Sequence, residues 1–118
     1  MMPIRVLIAE DDLLTREALT KAARMKGYDV VSVSNGVDLL SVAADERFDV
    51  VITDLMMPDL NGASAAEIMK LQGSTTPVIA LTGRSAQDIH LVRDKFTRIF
   101  HKPINVGELF EYVVSLVG

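Results

Sequence analysis

An α/β fold, a parallel sheet covered by helices on both faces, is what this sequence predicts. Three observations carry that reading. Short apolar runs alternate strictly with segments of helical spacing, the runs are apolar throughout, and no linker, repeat or low-complexity stretch interrupts the series. Parallel strands are buried on both faces and so read as continuous apolar runs; each returns to the next through a right-handed crossover, usually a helix. The 118 residues fit one domain, 1–118, long enough to bury a core. At 49% hydrophobic and only 5% aromatic residues, that core is aliphatic.

The first strand is Ile4 to Ala9, too short for a helix. From Asp12 to about Lys26 the apolar residues Leu14, Ala18, Ala22 and Met25 recur at helical spacing, with Asp12 as N-cap and Gly27 as the C′ stop. Val30 to Val33 form the second strand, closed by Asn35-Gly36, and Val37, Leu40, Ala43 and Ala44 mark the second helix. The third strand is Asp49 to Asp54; Ala65, Ile68, Met69 and Leu71 give a third helix ended by Gly73. Asn61-Gly62 has the composition of a hairpin turn, but the helical spacing after it makes it the entry to that helix. Pro77 to Thr82 is the fourth strand. Ile89, Val92 and Phe96 place a narrow stripe on a fourth helix, Arg98 to His101 form a short fifth strand, and Val106, Leu109, Phe110, Val113, Val114 and Val117 define a fifth helix.

Composition removes several functions. A net charge of −4 with no Lys/Arg run argues against nucleic-acid binding by this domain. Without cysteine there is no disulfide framework, thiol nucleophile or cysteine metal site. Met1-Met2-Pro3 leads directly into the first strand with no signal-peptide pattern, and no apolar stretch approaches the roughly 20 residues of a membrane span. A soluble, cytoplasmic protein is expected, either a stand-alone unit or one cut from a longer chain.

The chemistry gathers at the strand ends. Glu10-Asp11 follow the first strand, Asp54 ends the third, Thr82 ends the fourth and Lys102 follows the fifth. In open parallel sheets ligands bind beyond the carboxyl ends of the strands, near the point where strand order reverses. Carboxylates brought together there repel, which calls for a divalent cation or raised pKa values. His90 and His101 lack a pattern for metal binding or phosphotransfer and read as surface or partly buried residues.

Ala9-Glu10-Asp11-Asp12, Asp54-Leu55-Met56-Met57-Pro58 with Asn61-Gly62, Leu81-Thr82-Gly83 and Lys102-Pro103 stand in one order across the chain. In this respect, from Ile4 to Val117, it resembles the receiver domain of two-component response regulators, the family of the chemotaxis receiver. The resemblance implies a flavodoxin-like, doubly wound five-stranded sheet of order 2-1-3-4-5 with five helices. It implies that Asp54 accepts a phosphoryl group from a sensor histidine kinase or phosphotransfer protein. Mg²⁺, with Mn²⁺ as a substitute, would be held by Glu10, Asp11, Asp54 and the backbone carbonyl of Met56. Lys102 and Thr82 would each bind a phosphoryl oxygen, and the Lys102–Pro103 bond would be cis. The protein would be a regulator, catalysing only its own phosphorylation and dephosphorylation. Its output surface, and that of any homodimer, would be the fourth helix, fifth strand and fifth helix, acting on a partner or on an output domain not in this chain.

The sequence also departs from the family. Ile99 stands where an aromatic switch residue is common, and strand alternation points Phe100 the same way as Lys102, so Phe100 is no replacement. Lys95-Phe96-Thr97 replaces a pair that is often Gly-Ala in the family, and the bulky Met56 and long Arg84 stand at the two positions that in the family flank the approach of water to the acyl phosphate. Two alternatives are a phosphorylation-independent interaction domain and an aspartyl-phosphate phosphatase. The latter, as in the haloacid dehalogenase group, wants an acid two residues after the nucleophile, where Met56 stands.

Overall fold

The computed structural model describes residues 3–83 and 89–117. Five strands, β1 (Arg5–Ala9), β2 (Asp29–Val33), β3 (Val50–Asp54), β4 (Val78–Thr82) and β5 (Arg98–His101), pair in parallel in the order β2-β1-β3-β4-β5. Four α-helices lie among the described residues: α1 (Leu13–Met25), α2 (Gly36–Asp45), α3 (Gly62–Leu71) and α4 (Val106–Val117), the last being the fifth helix of the sequence reading.

Alternation along each strand divides the core in two. Val6 and Ile8, Val50 and Ile52, and Ile79 and Leu81 face Leu19 and Ala23 of α1 and Leu109, Phe110 and Val113 of α4. Leu7, Ala9, Val51 and Val78 face Leu39 of α2 and Ala65, Ala66 and Met69 of α3. Each fully buried aliphatic side chain contributes about 1.5–3 kcal/mol of transfer free energy. A small third cluster, Leu55, Ala80 and Ile89, sits near β5 and is flanked by Ala63, Val92, Phe96 and Ile99.

The helix ends follow the local chemistry. Asp12 accepts from the Thr15 amide at 2.9 Å and hydroxyl at 2.6 Å. Asn35, Asn61 and Asn105 cap α2, α3 and α4 through the amides of Asp38, Ser64 and Glu108. Gly27 and Gly73, at φ +84° and +89°, close α1 and α3 in the left-handed conformation that glycine adopts without a Cβ penalty.

Not every apolar residue that marks a helix faces the sheet. In α1 the inward residues are Leu19 and Ala23, whereas Leu14 and Met25 are 75% and 79% exposed and Ala18 is exposed as well. Two apolar stripes at the same helical spacing run side by side here, and only docking against the sheet chooses between them. In α2 and α3, likewise, Val37, Ala44 and Leu71 face outward, while Gly36 and Leu39, then Gly62 and Ala66, face inward. The fourth helix expected through Ile89, Val92 and Phe96 falls in part on residues 84–88, which with Arg84 lie outside the described residues; Ile89 is helical, a 3₁₀ turn spans Arg93–Lys95, and the apolar trio packs inward.

Candidate functional site

Register brings the predicted polar residues to one edge of the sheet. Ala9 lies opposite Thr53, Asp54 opposite Leu81, and Thr82 opposite His101. Glu10 therefore leaves β1 beside the end of β3. The amide of Lys102 donates to the Thr82 carbonyl at 2.7 Å, which carries the lysine past β5 to the same edge, and the Lys102–Pro103 bond is cis.

Lys102 Nζ donates to Asp54 Oδ2 at 2.7 Å and to Glu10 Oε1 at 3.0 Å. The second oxygen of each acid is also held: Asp54 Oδ1 accepts from the Met56 amide at 3.1 Å, and Glu10 Oε2 from the Asp12 amide at 3.1 Å. Glu10 has no exposed surface and Asp54 only 5%, whereas Asp11 is exposed. Thr82 is buried at the end of β4. One carboxylate oxygen each from Glu10, Asp11 and Asp54 lie within 4.8 Å of one another.

Burial is the largest influence on Glu10 and pushes its carboxyl from 4.5 up to about 7. The Asp12 amide and the Lys102 ammonium pull it down, while Asp54 pushes it further up. Burial also pulls the Lys102 ammonium down, but its bonds to Asp54 and Glu10 outweigh this and its pKa is raised. The site thus concentrates negative charge around one ammonium in a place largely shielded from water. An all-oxygen donor set of three clustered carboxylates suits a hard divalent cation such as Mg²⁺.

Glu10, Asp11, Asp54, Thr82 and Lys102, all singled out from the sequence, converge at this edge. The backbone of Met56 also belongs to it, through its amide, while the Met56 side chain is 52% exposed. Ile99 is set apart: paired with Ala80, it packs in the small Leu55–Ala80–Ile89 cluster. Phe100 faces the opposite way, its ring 5.9 Å from that of Tyr112 on α4. His101 is exposed.

Two features escaped sequence reasoning. Arg16 Nη1 donates to the carbonyl oxygen of Glu10 at 2.9 Å and, more distantly, of Asp11 at 3.4 Å. Its position four residues after the N-cap Asp12, where a cation is disfavoured by the helix dipole, is the signal that would have found it. A Cβ on Gly62 would overlap the carbonyl oxygen of Asp54, and one on Gly36 that of Leu60, so both ends of the loop after Asp54 are packed to contact.

The family model of the response regulator receiver domain matches residues 6–114, and the chain belongs to that family. Response regulator MprA of Mycobacterium sp. (strain KMS) is 35% identical over 85 residues, 72% of this chain but 37% of that protein; the chain spans well under half the length of the curated relatives it matches. Among solved structures, the Francisella response regulator 1452 receiver domain superimposes with a TM-score of 0.91 at 28% identity, covering 97% of this chain and 96% of that one. The receiver domain of sensor histidine kinase PA1611 from Pseudomonas aeruginosa PAO1, which has a magnesium ion coordinated in its active site cleft, gives 0.90 at 25% identity, with 99% of each chain covered. No helix among the described residues is long and apolar enough to cross a membrane.

Proposed function

We propose that this receiver domain is a phosphoacceptor switch in which Asp54 takes a phosphoryl group from the phosphohistidine of a sensor histidine kinase or phosphotransfer protein. The observation that carries this is the Lys102 ammonium, 2.7 Å from Asp54 Oδ2 inside a cluster of three carboxylates. A lone pair on an Asp54 carboxylate oxygen forms the P–O bond as the P–N bond breaks. The departing imidazole nitrogen keeps that electron pair and takes a proton from solvent, leaving an acyl phosphate.

Such a transfer is mostly positioning and charge stabilisation. The Met56 amide and Lys102 orient the Asp54 carboxylate. Lys102 then passes to a phosphoryl oxygen, and the Thr82 hydroxyl donates to another. Glu10, Asp11, Asp54 and the Met56 carbonyl would hold Mg²⁺, with Mn²⁺ as a substitute, which would supply positive charge against the anionic oxygens.

Thr82, drawn toward the phosphoryl group, changes packing around Ile99, which replaces an aromatic by rotamer change within the Leu55–Ala80–Ile89 cluster. The output surface is then the segment from Ile89 through β5 and α4, acting on a partner or on an output unit outside residues 1–118. Homodimerisation would use the same surface. The domain works in the cytoplasm as a regulator and turns over no substrate besides its own acyl phosphate. It contacts neither nucleic acid nor membrane.

Intact-protein mass after incubation with acetyl phosphate, with and without Mg²⁺, tests this on wild type and Asp54→Asn. A Mg²⁺-dependent phosphoryl adduct on wild type alone is expected. Equal labelling of Asp54→Asn would overturn the assignment. No labelling of wild type by either acetyl phosphate or a panel of phosphorylated histidine kinases would favour an interaction domain independent of phosphorylation, the reading that Ile99 at the switch position suggests.

A further inference from the structure

We infer that Arg16 is a positioning residue for the metal-binding acids: its guanidinium holds the backbone turn from which the Glu10 and Asp11 side chains reach toward Asp54. This rests on the Mg²⁺-dependent phosphoacceptor reading above. The ladder of β1 ends at Ala9, so the carbonyls of Glu10 and Asp11 lie beyond its strand pairing. Arg16 Nη1 reaches back over the start of α1 and donates to both, at 2.9 and 3.4 Å.

Arg16 is itself anchored. Its amide donates to the Asp12 carbonyl at 2.9 Å, and its carbonyl accepts from the Thr20 hydroxyl at 2.7 Å, which in turn contacts the Ser32 hydroxyl on β2. The Glu10 amide donates to Val33 on that same strand at 3.0 Å. The turn is thus gripped at its amide by β2 and at its carbonyls by α1. With the backbone held on both sides, the two side chains are left to point at Asp54.

Charge alone does not account for this placement. A cation near the positive end of a helix is disfavoured, and one beside a cation site weakens metal binding by repulsion. The N-cap Asp12 carboxylate offsets part of that charge, but the α1 first turn itself contains no acid. If Arg16 acted only as a charge, removing it would tighten the binding of Mg²⁺. If it positions the ligands, removing it weakens binding, as loss of groups that orient metal ligands typically does by 10–100-fold.

Titration calorimetry with Mg²⁺ on wild type, Arg16→Lys, Arg16→Met and Lys21→Gln separates these cases, at a temperature where circular dichroism shows each variant folded. Lys21 is an exposed cation on the same helix and serves as the charge control. Arg16→Met is expected to raise the Mg²⁺ Kd about tenfold or more. Arg16→Lys keeps the charge on a side chain one bond shorter, without the Nη1 that reaches both carbonyls, and raises it at least threefold by our expectation, and Lys21→Gln leaves it unchanged. Labelling by acetyl phosphate should slow in the Arg16 variants at low Mg²⁺ and recover at saturating Mg²⁺. Unchanged or tighter binding in Arg16→Met overturns the inference. Should that variant not fold, a wild-type Kd in Arg16→Lys overturns it equally. A wild type that neither binds Mg²⁺ nor labels instead removes the phosphoacceptor reading, and this inference with it.

Discussion

Glu10→Gln should make the metal-free protein more stable at alkaline pH, although it removes one partner of an ion pair. Glu10 has no exposed surface, and burial raises its carboxyl from 4.5 to about 7 in the folded state. A folded carboxyl with a raised pKa binds its proton more tightly than the unfolded chain does. Stability from this group is therefore fully present below about 4.5, falls as pH rises through the interval to about 7, and is lost above it. Each pH unit of that interval is worth about 1.4 kcal/mol. Across that interval the loss is ~3 kcal/mol. Glutamine stands in for the protonated acid and does not titrate. In EDTA the variant should match wild type at pH 5 and exceed it by ~3 kcal/mol at pH 8, on the order of 10 °C in Tm for a domain of this size. Thermal and urea melts at pH 5, 6, 7 and 8 measure the difference. Saturating Mg²⁺ should reverse the order at pH 8, because the cation stabilises only the chain that keeps its ligand. A Glu10→Gln protein less stable than wild type at pH 8 in EDTA would refute the reasoning, since it would mean that the Lys102 pair outweighs burial.

The double substitution Asp11→Asn with Asp54→Asn should likewise raise the metal-free Tm and abolish most of the Mg²⁺-dependent rise seen in wild type, as scanning calorimetry will read. Gly36→Ala places a methyl against the Leu60 carbonyl; a loss of about 1–3 kcal/mol is expected from chemical denaturation, the scale of overpacking a close contact. Asn61→Ala removes the side-chain acceptor for the Ser64 amide, and should cost ~1 kcal/mol in urea while leaving the acetyl phosphate adduct in place.

Strands and helix ends were legible because their causes are local. Val50-Val51-Ile52 is apolar at every position because both faces of β3 are covered, and Asp12, Asn61, Gly27 and Gly73 act through their own backbone. The site residues were legible for a related reason: each follows an apolar run, and parallel pairing sends all those ends to one edge. Helix faces were less so. Leu14 and Leu19 both belong to stripes at helical spacing, and only the approach of β1 and β2 buries Leu19 and exposes Leu14. The part played by Arg16 depends on a carbonyl six residues back and has no periodic signature. Toward the end of the expected fourth helix, Arg93–Lys95 tighten into a 3₁₀ turn, between Val92 and Phe96, which pack inward.

The loop between Asp54 and α3 is pinned at two points, with the Leu60 carbonyl lodged against Gly36 and the Asp54 carbonyl against Gly62. Met57 and Leu60 bed into the cluster around Leu39 and Ala65. Mechanically, that makes the side of the site toward α2 a rigid abutment. A push originating at Asp54 would find little compliance there, whereas among the described residues the opposite side is backed by the small group of Leu55, Ala80 and Ile89 with its flanking side chains. On the phosphoacceptor reading proposed above, a displacement would be steered across the sheet toward β4 and β5, its direction set by what cannot move as much as by what can.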